Sequence, residues 1–138
     1  FATIYGVTTT AYFADLAEEY TTEEQYEPGT VVVVSYDENG AEAVMSFDSA
    51  QRVLGVISTN PGFILNDECD GQPIALRGRV PVKVIGVINK GDRLVSAGNG
   101  YARAAQPGEA SAFNVIGRSL DSKLDAGEGT VEAIVIIR

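Results

Sequence analysis

The chain is built from short apolar runs, rich in Val and Ile, that are separated by turns containing Gly, Asn or Pro. In residues 80–85, three valines alternate with Pro, Lys and Ile, which is the period-two pattern of a strand with one buried face. β-Branched residues also favour strands. The sequence therefore predicts an all-β fold. The predicted strands are 31–36, 41–47, 52–58, 74–76, 80–88, 93–96, 101–105, 113–119 and 130–137.

One segment has a helical rather than a strand-like pattern. In residues 14–20, Leu16, Ala17 and Tyr20 are spaced as on one face of a helix. Asp15 stands where its side chain could cap the first turn, and acidic residues near the start of a helix favour its dipole. The pattern predicts a short N-terminal helix over residues 14–20.

Two stretches of the chain, 28–55 and 90–117, read alike and lie 62 residues apart. Each runs from a Gly turn through a strand, an Asn-Gly turn, a second strand and a loop to a strand that ends in Gly. Asn-Gly between apolar runs is a strong hairpin signal, because both residues tolerate positive φ. We therefore expect positive φ at Gly40 and Gly100. The pattern suggests one hairpin unit used twice in a closed pseudo-twofold barrel or sandwich, although any all-β chain contains similar hairpins.

The length of 138 residues indicates one domain with a sizeable core, so that no disulfide or metal is needed for stability. Residues 1–13 are β-rich and uncharged, and we interpret them as a leading strand or a junction with an upstream shaft. Residues 14–138 then form a single compact β domain. The predicted core residues are Val82, Val84, Ile116, Val135 and Ile137.

The composition limits the chemistry that the chain can perform. It contains no His, which excludes Ser-His and Cys-His nucleophilic systems within this chain. Cys69 is the single cysteine, and its acidic neighbours should raise the pKa of its thiol. No calcium-binding loop pattern is present. We expect no cofactor, no bound metal and no multiple-turnover enzyme.

Charge is distributed unevenly along the chain. The net charge is −9, and residues 1–51 hold ten acidic side chains and no basic one. Such a surface disfavours nucleic-acid binding, and no apolar run is long enough to span a membrane. The acidic run is either a solvated face or a docking surface for a basic partner or a neighbouring subunit. Its members are Asp15, Glu18, Glu19, Glu23, Glu24 and Glu27.

A series of short motifs occurs in a familiar order. They are ADLAEEY at 14–20, PGTVV at 28–32, VLGVISTNP at 53–61, QPIALRGRVPVKV at 72–84, KGDRLVS at 90–96, GYA at 100–102 and VIGRSL at 115–120. Together they resemble the C-terminal domain of bacteriophage tail-fibre and related virion structural proteins. The chain is similar over residues 12–138 to the intramolecular-chaperone, autoproteolytic domain that ends some phage tailspikes.

The resemblance implies a non-enzymatic virion domain on a homotrimeric fibre or similar appendage. Its role would be folding, trimer registration or display at the virion periphery, with other virion proteins as partners. A host surface glycan or receptor would be a further partner. The uncharged segment 1–13 would suit the junction with a fibre shaft, and the acidic run would face a neighbouring subunit.

Three alternative functions stay open at the level of sequence. The first is an autoproteolytic chaperone that cuts its own chain once. The second is a capsid-decoration protein on the virus head, and the third is a carbohydrate-binding fibre tip. Self-cleavage without His needs a Ser, Thr or Asn helped by a carboxylate or lysine, and no catalytic signature assigns one. The candidates are Thr8, Thr9, Thr10, Asp15, Ser58, Thr59 and Asn60, and the aromatic residues for sugar stacking are Tyr36, Phe63 and Tyr101.

Overall fold

A computed structural model describes residues 15–47, 52–58, 61–66 and 68–137, and all regular secondary structure in these ranges is β. This confirms the all-β prediction. The strands are β1 (Asp15–Tyr20), β2 (Val31–Val34), β3 (Ala43–Met45), β4 (Val53–Ile57), β5 (Phe63–Leu65), β6 (Gln72–Ile85), β7 (Arg93–Gly98), β8 (Tyr101–Ala104), β9 (Gly117–Ser119) and β10 (Glu128–Ile136).

Five strands close into a small barrel in the second half of the chain, which we call the C-barrel. Its strands follow the order β6, β10, β9, β7 and β8. A parallel pairing of Val84 on β6 with Ala102 on β8 closes the ring. The side chains that fill it are aliphatic, and they include the buried Leu94 and Ile116. A closed ring leaves no free edge within the barrel, which stabilises such a small sheet.

The first half of the chain forms a second ring of the same design, which we call the N-barrel. Its order is β1, β6, β4, β2 and β3. The ring closes through a parallel bridge between Thr22 and Ala43, in which the Ala43 N–H donates to the Thr21 carbonyl at 3.0 Å. Strand β6 belongs to both rings, since residues 72–78 pair with β1 and residues 77–85 pair with β10. One 14-residue strand therefore joins two barrels.

The two barrels repeat the same hydrogen bonds 62 residues apart. The Gly29 N–H donates to the Ile57 carbonyl at 2.8 Å, and the Gly91 N–H donates to the Ser119 carbonyl at 2.9 Å. Both glycines have positive φ, +85° and +93°. In the ladders, Val32 pairs with Gly55 as Leu94 pairs with Gly117. The pseudo-duplicated hairpin unit predicted from the sequence is therefore present as repeated backbone geometry.

Close approach of a neighbouring strand explains why both units end in Gly. A Cβ atom added at Gly55 would collide with the Ala75 carbonyl, and one added at Gly117 would collide with the Ile134 carbonyl. Neither position has room for a side chain, so the repeated Gly in the middle of β4 and at the start of β9 is a packing requirement.

The core prediction is largely confirmed. Val82, Val84, Ile116 and Val135 are buried, and they belong to the cluster that fills the C-barrel. Ile137 is only partly buried and packs against that cluster.

The predicted helix over residues 14–20 is wrong. Its described part, Asp15–Tyr20, is strand β1, which pairs antiparallel with β6 and parallel with β5. Two flanking ladders supply backbone hydrogen bonds along this strand. Tertiary pairing therefore overrides a local helical pattern of only seven residues.

The two predicted Asn-Gly turns differ. Asn99 and Gly100 both have positive φ, +53° and +80°, and they form the two-residue turn between β7 and β8. Gly40 does not have positive φ, so that prediction is wrong. It lies in a loop of eight residues between β2 and β3, in which its N–H donates to the Asp37 carbonyl at 3.2 Å. The longer loop does not need the tight turn geometry.

Candidate assembly surface

The acidic run lies on β1 and on the extended segment that leads from β1 to β2. Glu23 and Glu24 are exposed, and their carboxylates form no ion pair within the ranges that the structure describes. Glu27 is exposed and pairs with the Lys83 ammonium at 3.1 Å, where the lysine reaches across from β6. Of these three acids, Glu23 and Glu24 are therefore available to a partner, with no ion pair to any described residue.

The acids on β1 have different surroundings, because strand residues alternate between two sides. Glu18 accepts a hydrogen bond from the Tyr20 hydroxyl at 3.0 Å, and both side chains are half-buried. Burial and the carboxylates of Glu18 and Glu42 raise the pKa of Tyr20 to about 12. Glu19 is half-buried on the same strand. Because Glu18 and Glu19 are consecutive on β1, their side chains lie on opposite sides of the strand and do not form one continuous face.

Asp15 is buried, with only 7% of its surface exposed. Burial raises the pKa of its carboxyl, and a hydrogen bond from Ser58 opposes that shift. Its second carboxylate oxygen, Oδ2, has no hydrogen-bond partner in the described part of the chain. The structure thus brings together two of the residues considered for self-cleavage, whereas Thr8–Thr10, Thr59 and Asn60 lie outside the described residues.

An apolar edge lies beside the start of β1. Strand β5 pairs on one side with β1, and Leu16 stands opposite Phe63 in that register. Phe63, Ile64 and Leu65 are all exposed, by 42%, 41% and 49%. A short edge strand with three exposed apolar side chains is typical of a surface that another chain covers.

A groove of about 470 Å³ runs between the two barrels. Val34 and Leu54 contribute to it from the N-barrel, and Phe113 and Val115 contribute from the loop that precedes β9. Phe113 is 77% exposed at this site. The groove is thus mostly apolar and accessible from solvent.

The aromatic candidates for sugar stacking are dispersed over separate elements. Tyr36 follows β2, and the guanidinium of Arg52 lies 4.5 Å from its ring centre. Tyr101 begins β8, and the Lys83 ammonium lies 4.7 Å from its ring centre. Phe63 is on β5. One face of each tyrosine ring is therefore already occupied by a cation.

The single cysteine lies in the acidic turn before β6. Burial, together with the carboxylates of Glu42, Glu19 and Asp70, raises the pKa of the Cys69 thiol. This confirms the predicted direction, and a thiol with a raised pKa is a poor nucleophile.

Two kinds of site are absent from the described residues. They contain no group of three or more Cys, Asp or Glu side chains placed to hold a metal ion. They also contain no helix with the length and apolar character needed to cross a membrane.

The fold has relatives among solved structures, whereas no protein-family model and no curated protein matches the chain. The head fiber gp8.5 N base of bacteriophage phi29 is similar, with 12% identity, a TM-score of 0.51, and coverage of 83% of this chain and 88% of that chain. The pre-mature gene product 12 of bacteriophage phi29 is also similar, with 15% identity and a TM-score of 0.62. That match covers 91% of this chain and 22% of gene product 12, so the chain spans about a fifth of it. At these identities the likeness is one of fold.

Proposed function

We propose that this chain is a structural domain of a bacteriophage virion protein that self-associates, as a homotrimer, on a fibre or similar appendage. The observation that carries the proposal is the double-barrel fold, which resembles two phage phi29 proteins across 83% and 91% of the chain. The order of motifs along the sequence supports the same class of protein. The domain acts by assembly and display rather than by catalysis.

Exposed apolar surface supports self-association. The edge strand β5 presents Phe63, Ile64 and Leu65, and Phe113 lies exposed beside the groove between the barrels. Monomeric proteins seldom expose large contiguous apolar patches, and such patches usually mark interfaces. A neighbouring subunit of the same fibre would cover them.

The fold likeness and the order of sequence motifs support different positions on the virion. The similar phi29 domain is the base of a head fiber, which favours the head surface as the site of this domain. The motif resemblance favours the tail. Immunogold labelling of intact particles with an antibody against this domain distinguishes the two, since label confined to the tail excludes the head and label on the head excludes the tail.

The solution mass of the chain tests the proposal. Size-exclusion chromatography with light scattering should give three times the 14.6 kDa of one chain. A variant with Phe63→Ser and Leu65→Ser should dissociate, whereas Leu124→Ser, at a site 81% exposed on the C-barrel, serves as the matched control. A wild-type monomer at high concentration would contradict self-association by this domain.

A second candidate function is a single self-cleavage of a longer precursor. The observation that favours it is the buried Asp15 carboxyl, which has a raised pKa and a hydrogen bond from the Ser58 hydroxyl. A carboxyl of raised pKa beside a hydroxyl is suited to general acid–base assistance of a nucleophile.

Intact mass spectrometry of the chain carrying an upstream extension tests this candidate. Cleavage in the wild type that is lost in Ser58→Ala, and retained in Ser122→Ala, would support it. An uncut precursor that is fully folded would eliminate it.

A further inference from the structure

Two arginines face each other on the outside of the C-barrel. The register of β7 and β9 places Arg93 directly opposite Arg118, and both side chains are exposed. Like charges at directly opposed strand positions destabilise a sheet. Arg118 donates a hydrogen bond to the Gly91 carbonyl at 3.0 Å, and neither guanidinium forms an ion pair within the described ranges.

Two carboxylates on the segments next to β7 and β9 have other partners. Both terminal guanidinium nitrogens of Arg103 donate to the Glu109 carboxylate, Nη1 at 2.7 Å, and this contact lowers the pKa of Glu109 to about 2. The Asp92 carboxylate accepts the Asn89 N–H at 2.8 Å. No carboxylate described in this copy therefore neutralises the two opposed arginines.

The surroundings of the pair have the shape of a docking site. Three adjoining cavities of about 260, 410 and 360 Å³ all include Arg93 in their walls. Val115 and Ile136, which are half-buried, line the first together with Arg118. Arginine beside apolar surface is the composition found at the centres of protein–protein interfaces.

The charge pattern of the chain identifies a complementary surface. Residues 1–51 carry ten acids and no base, and Glu23 and Glu24 are exposed without ion pairs among the described residues. These glutamates lie on the N-barrel, whereas the arginines lie on the C-barrel. Two complementary surfaces on different parts of one molecule fit a head-to-tail contact between copies, which closes into a ring when the rotation permits.

We propose that Arg93 and Arg118 bind Glu23 and Glu24 of a second copy of this chain. Guanidinium–carboxylate pairs are strong and directional, and here they would select the head-to-tail orientation and register of neighbouring subunits. The proposal rests on the self-association in the proposed function and adds the residues that direct it.

Charge reversal measured by sedimentation equilibrium tests this interface. We expect Arg93→Glu with Arg118→Glu to weaken self-association by about tenfold or more, and Glu23→Arg with Glu24→Arg to do the same. The chain that carries all four reversals should regain association, because the charges again match. Lys90→Glu and Glu128→Lys are the matched controls, since both residues are exposed and in no ion pair among the described residues.

Folding is checked on every variant by its thermal melt, and Arg93→Gln with Arg118→Gln replaces any reversal that fails to fold. A wild-type oligomer that persists in the arginine variants, or a fourfold reversal that stays dissociated, would overturn this interface and leave the proposed function intact. A wild-type monomer would overturn both. An acidic polysaccharide that binds these arginines while the wild-type oligomer stays assembled would show that a second copy does not occupy them. That result would exclude a second copy as their partner.

Discussion

The N-barrel and the C-barrel share a backbone plan but have different interiors. In the N-barrel, β1 and β6 place Tyr20 opposite Gln72, and at the equivalent position of the C-barrel Val82 stands opposite Val131. The buried Gln72 amide donates to the Tyr26 carbonyl and accepts the Tyr26 N–H, each at 2.9 Å. Among the described residues, the buried polar side chains on β7 to β10 are the small hydroxyls of Ser96 and Ser119, which donate to the carbonyls of Phe47 and Asp121 at 2.8 and 2.7 Å.

The comparison shows that the hydrogen-bond register and a few glycines define the barrel, whereas the side chains in its interior can vary. A buried polar group is tolerated in the N-barrel because its hydrogen bonds are satisfied. The C-barrel depends mainly on apolar burial, because the buried polar side chains on its strands β7 and β9 are two small serines. We therefore expect the C-barrel to contribute most of the hydrophobic stabilisation and the N-barrel to contribute the polar, acidic surface.

The largest expected effect is a cavity in the C-barrel. Leu94→Ala should lower the free energy of unfolding by about 2–5 kcal/mol, because Leu94 is fully buried and the closed ring cannot collapse around the space. Urea denaturation measures the change. Leu124→Ala, at an exposed site, should change it by less than about 0.5 kcal/mol. Equal effects of the two variants would contradict the assignment of the core.

The polar network of the N-barrel gives the next effect. Gln72→Leu should lower the free energy of unfolding by about 1–3 kcal/mol, since it leaves the N–H and carbonyl of Tyr26 buried without their partner. Thermal or urea unfolding measures this. Gln106→Leu, at an exposed loop position, is the control. A higher free energy of unfolding in Gln72→Leu than in the wild type would show that an apolar interior stabilises the N-barrel as well.

The two hairpin glycines should differ in their tolerance to substitution. Gly100→Ala should cost about 1 kcal/mol or more, because φ is +80° and the new Cβ would lie 2.7 Å from Thr30 Cγ2. Gly40→Ala should cost less, because φ is not positive and the nearest atom belongs to the movable Asp37 side chain. The difference in melting temperature checks this, and equal losses would contradict the difference in turn geometry.

The smallest expected effect is a pH dependence of opposite sign in the two barrels. Arg103 lowers the pKa of Glu109 from 4.5 to about 2, so its stabilisation is complete above pH 4.5 and is lost as pH falls towards 2. Burial raises the pKa of Asp15 above 3.8, so its carboxyl becomes destabilising as pH rises through that raised value.

Melting temperatures across pH 2–7 check both signs. At neutral pH, Glu109→Gln should melt at a lower temperature than the wild type. In acid, the two melting temperatures should become similar. Asp15→Asn should gain stability as the pH rises above 3.8. An Asp15→Asn variant that is uniformly less stable at all pH values would show that the charged carboxylate is required.

Local sequence patterns predicted several parts of the fold correctly. Alternating apolar residues predicted the all-β class and most of the core, and Asn99-Gly100 predicted a tight turn because its geometry depends on two adjacent residues. The repeat was visible because equivalent backbone sites need the same glycines. The helix prediction over 14–20 failed because pairing with β5 and β6, which lie far along the chain, decided the conformation of β1.

The candidate surface was less accessible to sequence reasoning. The acidic run was visible as a charge pattern, but strand geometry buries Asp15 and turns Glu18 towards Tyr20. The arginine pair was missed, because Arg93 and Arg118 lie 25 residues apart and only the β7–β9 register brings them together. The available signal in the sequence was that all the basic side chains lie in residues 52–138, whereas residues 1–51 carry only acids.

By itself, the sequence determined the β class, the duplicated unit, the tight second hairpin and the excess of acid in the first half. These features depend on residue type and local spacing. Only the tertiary structure decided that β6 would serve two barrels, that β1 would be a strand, and that two arginines would meet on the surface. Each of these depends on long-range strand pairing, whose register no local pattern specifies.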